Sequence, residues 1–182
     1  VGTTATLAKQ ITNPVSRFAT DNNGVVIDLP AVPSQGATSI AGQMLFGIGT
    51  ASNNTPIAGV VSLTTASDGY ITTAPVGAPT VLSNASMGNS FIDTGSNGVY
   101  FDATLPLCSS ATDFYCPASN TTVPTTLSGT NMSSTSVSFV AGNAQSLFNT
   151  SRSVLPTLTG PMGDSTTFDW GLPFFYGRRV FI

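Results

Sequence analysis

Histidine and glutamate are absent from the 182 residues, lysine occurs once and cysteine twice. Zinc sites draw on several Cys and His side chains, so no zinc-ligand set is available. No motif points to any other metal or to a cofactor. Charged residues are scarce, 7% of the chain, with five Lys/Arg against eight acids that are all aspartate. The net charge of −3 and the pI near 4.3 argue against nucleic acid as a partner, because phosphate recognition needs a basic face. Lys9, Arg17, Arg152, Arg178 and Arg179 form no long cluster that could supply one. No apolar run reaches the roughly 18 residues of a membrane span. The opening Val1-Gly2-Thr3-Thr4 has no initiator Met and lacks the basic and apolar regions of a signal peptide. The ending Arg178-Arg179-Val180-Phe181-Ile182 reads as a strand cut short, so the chain is expected to be a piece of a longer precursor.

What remains is an apolar fraction of 41%, enough for one globular domain with a core rather than a disordered chain. With so little charge, Ser, Thr, Asn and Gly must make the surface polar. Such side chains compete with a helical backbone for hydrogen bonds, which favours strands and turns. An acidic, nearly lysine-free composition fits a secreted or periplasmic protein. Cys108 and Cys116 are read as a short disulfide closing a surface loop, the alternative being two buried thiols. A disulfide implies an oxidising compartment.

Along the chain, residues 5–20 are expected to hold a helical turn or two around Leu7, Ile11 and Val15, limited by Pro14. Asp21-Asn22-Asn23-Gly24 signals a turn into a strand at Val25–Leu29. Further strands are expected at Ile40–Ile48, at Ala58–Thr65 and, after the Asp68-Gly69 turn, at Tyr70–Thr73, the last two forming a hairpin. Thr80–Leu82, Ser90–Asp93, Gly98–Phe101 and Ser136–Val140 also read as strands. Residues 117–135 suggest short strands with mobile connections, Ala144–Phe148 a helical turn, and residues 149–167 a polar loop. The aromatic segment Phe168–Ile182 ends the chain. Many short strands with turns every 8–12 residues define an all-β sandwich or barrel.

One segment carries chemistry. Phe91-Ile92-Asp93-Thr94-Gly95-Ser96 sets an acid directly after an apolar strand and before a glycine turn. The strand fixes the backbone, and Gly95 is expected to take a conformation denied to residues with a Cβ. The hydroxyls of Thr94 and Ser96 are placed to hold the carboxylate oxygens. Because Val99-Tyr100-Phe101 follows, Asp93 should be partly buried, where an ionised carboxylate is costly without a purpose.

This loop resembles the catalytic-aspartate loop of pepsin-like aspartic peptidases. Other segments are similar to parts of the second lobe of those enzymes, in the same order. Asn13-Pro14-Val15 through Leu29 resembles the end of the first lobe, and Leu45-Phe46-Gly47-Ile48-Gly49 the strand-turn at the lobe junction. Gly69-Tyr70-Ile71-Thr72-Thr73 resembles the strand that follows. Trp170-Gly171-Leu172-Pro173-Phe174-Phe175-Tyr176-Gly177-Arg178-Arg179-Val180-Phe181 resembles the segment that passes behind the catalytic loop. In combination these motifs look like a bacterial family of secreted pepsin-like proteins of the DUF3443 type.

The resemblance implies a double-psi-type barrel or sandwich with one or two short helices. Residues 1–35 would be a lobe-junction segment and residues 36–182 the second lobe. Asp93 would be one of two catalytic aspartates, oriented by Thr94, Gly95 and Ser96. Two carboxylates about 3 Å apart share one proton; the ionised acid takes a proton from water while the neutral one polarises the scissile carbonyl. The loop departs from the pepsin pattern at Asn97-Gly98, which is expected to loosen it. No second Asp-Thr/Ser-Gly occurs, so the partner aspartate is expected from a first lobe or from a second copy of the chain. The substrate would be a polypeptide. The competing reading is a secreted surface or filament protein on the same fold, without catalysis, assembling through exposed strand edges.

Overall fold

The computed structural model describes residues 4, 6, 9, 11–78 and 80–182. It is mostly β, as the composition implied. Among the described residues ten strands form two sheets: β1 (Val25–Leu29), β2 (Gln43–Phe46), β3 (Ile71–Pro75), β4 (Met87–Ile92), β5 (Val99–Phe101), β6 (Thr121–Ser128), β7 (Ser134–Ala141), β8 (Thr159–Gly160), β9 (Thr167–Trp170) and β10 (Arg178–Phe181). A single helical turn, α1 (Ala144–Phe148), is capped by the Asn143 side chain, which accepts from Ser146 N–H. Of the early helical expectation, Leu7 lies outside the described residues. What forms is a 3-10 turn at Pro14–Arg17, capped by Asn13, with Ile11 fully exposed.

The smaller sheet has the order β10-β1-β2 and is antiparallel throughout, pairing Val26 with both Phe181 and Leu45. The larger sheet runs β7-β6-β3-β4-β9-β5-β8. Its centre is unusual. β4 and β5 follow one another in sequence, joined by residues 93–98, yet they do not pair. β9 lies between them, parallel to β4 and antiparallel to β5. The 93–98 loop must therefore pass over the end of β9.

The core explains the arrangement. Phe101 stacks on Phe168 at 5.2 Å and Phe168 on Trp170 at 4.5 Å, while Phe139 meets all three edge-on. β9 is an inner strand, and Phe168, Asp169 and Trp170, which point to both of its faces, are buried. Trp170 Nε1–H donates to Thr73 Oγ1 at 2.9 Å, so its one polar group is satisfied inside the core. A second cluster, Cys108, Ala144, Leu147, Leu155 and Leu158, lies under α1. Cys108 and Cys116 are disulfide-bonded, with Cα atoms 4.8 Å apart.

Four expectations fail. Thr80–Leu82 forms no strand, only an isolated bridge from Leu82 to Ala103. Residues 149–167 are no polar loop: they contain β8 and bury Leu155 and Leu158 in the core. Residues 58–65 form no strand and no hairpin with β3. Their polar backbone groups go instead to the turn between β6 and β7: Thr130 N–H donates to Thr64 O, Asn131 Oδ1 accepts from Thr64 N–H, and Asn131 Nδ2 donates to Ser62 O. β3 pairs with β4 and β6. Residues 117–135, expected as short pieces, contain an eight-residue strand that pairs with β7 along its whole length, from Thr121↔Ala141 to Ser128↔Ser134. Val123, Thr125 and Leu127 alternate inward, and this period of two overrides the loop-like composition.

Candidate functional site

β4 ends at Ile92, and the next residue is Asp93. Its backbone N–H continues the ladder to Trp170 O at 3.0 Å, so the acid is fixed by the parallel β4–β9 pair. Gly95 N–H donates to Asp93 Oδ1 at 2.7 Å, and Ser96 Oγ lies 3.0 Å from Asp93 Oδ2. Both carboxylate oxygens thus meet a donor from their own loop, and the side chain is half-buried.

The four expected site residues do not contribute equally. Asp93, Gly95 and Ser96 come together. Thr94 is exposed and makes no hydrogen bond to the carboxylate, its place being taken by the Gly95 amide. Gly95 itself has no left-handed backbone, contrary to the expectation. Its lack of a side chain serves space: a Cβ there would stand 3.1 Å from Asp93 Oδ1, the oxygen its amide must reach. Asn97-Gly98, expected to loosen the loop, is tied down. The Tyr100 hydroxyl donates to Asn97 Oδ1, and Gly98 is buried against Leu158 O.

The floor of the loop is the chain after β9. Leu172 N–H donates to Ser96 O at 2.8 Å. A Cβ on Gly171 would stand 2.0 Å from Gly98 O and 2.6 Å from Ser96 O, so only glycine lets the two backbones cross here. Trp170 and Gly171 thus lie against the backbone of the Asp93 loop.

The structure adds a residue that sequence reasoning missed. Asp169, between core residues Phe168 and Trp170, is only 5% exposed. Its Oδ2 contacts Ser96 Oγ, and its Oδ1 has no partner. Burial pushes its carboxyl up to about 6, with Asp93 adding to the rise and the Ser96 contact opposing it. Tyr100, opposite Asp169 on β5, is also held above its ordinary value, by burial first and then by Asp169 and Asp113. Strand alternation offered a signal: in a strand that sends Phe168 and Trp170 one way, residue 169 faces the other.

Asp93 lines neither of two concavities on the protein. One is lined by Val137, Phe139, Trp170, Phe174 and Arg178, and the other by Asn120, Asn143, Leu147 and Arg152. Among the described residues no three His, Cys, Asp or Glu side chains are grouped to hold a metal ion. No helix there is long and apolar enough to cross a membrane.

The fold and site define a mostly-β protein in which a loop crossing an inserted strand brings Asp93 and Asp169 onto one serine hydroxyl. The family model described as a protein of unknown function (DUF3443) matches residues 1–182, and the chain belongs to that family. No curated protein and no solved structure matches the chain.

Proposed function

We propose that the chain is one half of an aspartic-peptidase-like site, with Asp93 one of two carboxylates that activate water for peptide hydrolysis. The observation that carries this reading is the Asp93 loop. An acid at a strand end has a donor at each carboxylate oxygen, in a loop that crosses over an inserted strand. Two such loops facing each other would bring two carboxylates onto one water. Their shared proton leaves one acid to accept a proton from water and the other to polarise the carbonyl.

On this reading residues 36–182, the larger sheet together with β2 and β10, are a pepsin-like second lobe, and residues 1–35, which contain β1, are the lobe junction. The partner aspartate comes from a first lobe or a second copy of the chain. The smaller sheet supports a docking role: β2 is an edge strand with Met44 57% and Phe46 43% exposed. The disulfide supports secretion or export to the periplasm. The test is binding of a statine-type transition-state mimic to the full-length natural protein near pH 4, measured by calorimetry. Saturable binding that Asp93→Asn abolishes is expected; equal binding by both proteins rejects the reading.

The same exposed edge favours a second reading, a secreted structural protein that self-assembles through β2. Sedimentation decides it. A protein that stays monomeric at high concentration is not assembling through that strand.

A further inference from the structure

Asp169 makes an arrangement that proton counting can resolve. Ser96 Oγ is within hydrogen-bond reach of Asp93 Oδ2 and of Asp169 Oδ2. A serine hydroxyl has one proton and can donate to only one of them. With both carboxylates ionised, one anionic oxygen would face the hydroxyl's lone pairs with no donor between. One further proton, on one of the two acids, satisfies every contact.

The two acids differ in what supports a charge. Asp93 accepts the Gly95 amide at its other oxygen and is partly open to solvent. Asp169 is 5% exposed, and its second oxygen has no partner. No cation offsets it: the one ion pair among the described residues joins Arg179 to Asp28. An ionised carboxylate buried without partners is costly, so the extra proton belongs on Asp169.

We propose that Asp169 is a positioning residue for this site, a neutral acid that donates to Ser96 and thereby commits the serine proton to Asp93. The directed chain runs from Asp169 Oδ2–H to Ser96 Oγ, and from Ser96 Oγ–H to Asp93 Oδ2. Two protons serve three oxygens, and the trio has a single negative charge, on Asp93.

The surroundings favour this state. Facing Asp169 are Asp93 and Ser96 from the loop, apolar Phe91 from β4 and Tyr100 from β5, with Asp113 acting on Tyr100 from farther off. None is positively charged. The Tyr100 hydroxyl is committed to Asn97 and does not compete for Ser96. Above about pH 6, where burial places the Asp169 ionisation, two anions contest one serine proton and the directed chain is lost. The site is thereby set for acidic conditions. This goes beyond the peptidase reading, since it holds whether or not Asp93 hydrolyses a peptide.

Carboxyl carbon-13 NMR of aspartate-labelled protein, titrated from pH 3 to 8, tests the proposal without reading activity. The Asp169 signal is expected to titrate near 6, and the Asp93 signal to show an inflection at that same pH. Asp169→Asn preserves shape and still offers an N–H to Ser96; it should remove that inflection. Ser96→Ala should shrink it by more than half while Asp169 still titrates. Three results overturn the proposal: an Asp169 signal titrating near the ordinary 3.8, no response of Asp93 as Asp169 ionises, or an inflection of full size in Ser96→Ala. The wild-type titration and Ser96→Ala decide the matter even if Asp169→Asn does not fold.

Discussion

Replacing Asp169 with Asn should flatten the pH dependence of stability. The Asp169 carboxyl ionises near 3.8 in an unfolded chain and near 6 in the folded one. Between those values the unfolded state binds fewer protons than the folded state, so stability falls as pH rises. The contribution is complete below about 3.8 and gone above about 6. At about 1.4 kcal/mol per pH unit the loss is about 3 kcal/mol across that window. Asp164 acts with the opposite sign, because hydrogen bonds from Thr166 N–H and the Thr167 and Thr166 hydroxyls hold its carboxyl low. It is fully exposed, and it is common to both proteins, so it cancels in their comparison. Urea unfolding of wild type and Asp169→Asn at pH 3.5 and pH 7 gives the difference directly. Wild type should lose about 3 kcal/mol more than the variant between the two conditions. Parallel losses would show that Asp169 ionises alike in both states, and the burial argument would fail.

Other perturbations test the frame around the site. Gly171→Ala forces a Cβ onto the Gly98 and Ser96 carbonyls; by analogy with overpacked cores the expected loss is roughly 3 kcal/mol, or about 6–12 °C in melting temperature. A near-neutral effect by calorimetry would mean the crossing is looser than described. Tyr115→Phe removes a buried hydroxyl that donates to Phe101 O at 2.7 Å and accepts from Ala103 N–H at 3.0 Å. Chemical denaturation should register a loss of about 1–3 kcal/mol. Reducing the Cys108–Cys116 bond, which spans eight positions, should lower stability by about 2–3 kcal/mol on a chain-entropy account. An unchanged urea midpoint in reductant would argue against that loop constraint.

How much of this was legible depended on whether the signal was local. Asp93, Gly95 and Ser96 adjoin one another, so a strand running into a glycine turn disclosed their loop. The role of Gly95 was not legible, because it depends on where the Asp93 side chain points rather than on backbone freedom. Asp169 was hidden for a different reason. It lies 73 positions from Ser96, and its aromatic neighbours read as core. Only the insertion of β9 between β4 and β5 brings it under the loop, and no short-range pattern encodes that pairing. Residues 58–65 show the converse. Val60, Val61 and Leu63 look like a strand, but Asn131 takes up the backbone of Ser62 and Thr64 through its side chain. In β6, Ser/Thr-rich composition concealed an alternation that burial makes plain.

Hydrolysis of an unfolded protein substrate by the full-length natural protein between pH 3 and 7 tests the assignment of Asp93 most directly. Cleavage is expected on the acidic side, where Asp169 keeps its proton. It should fall at least about 100-fold in Asp93→Asn, the scale of losing a general acid–base group. Cleavage by Asp93→Asn at the wild-type rate, or no cleavage by wild type at any pH in that range, would contradict the account.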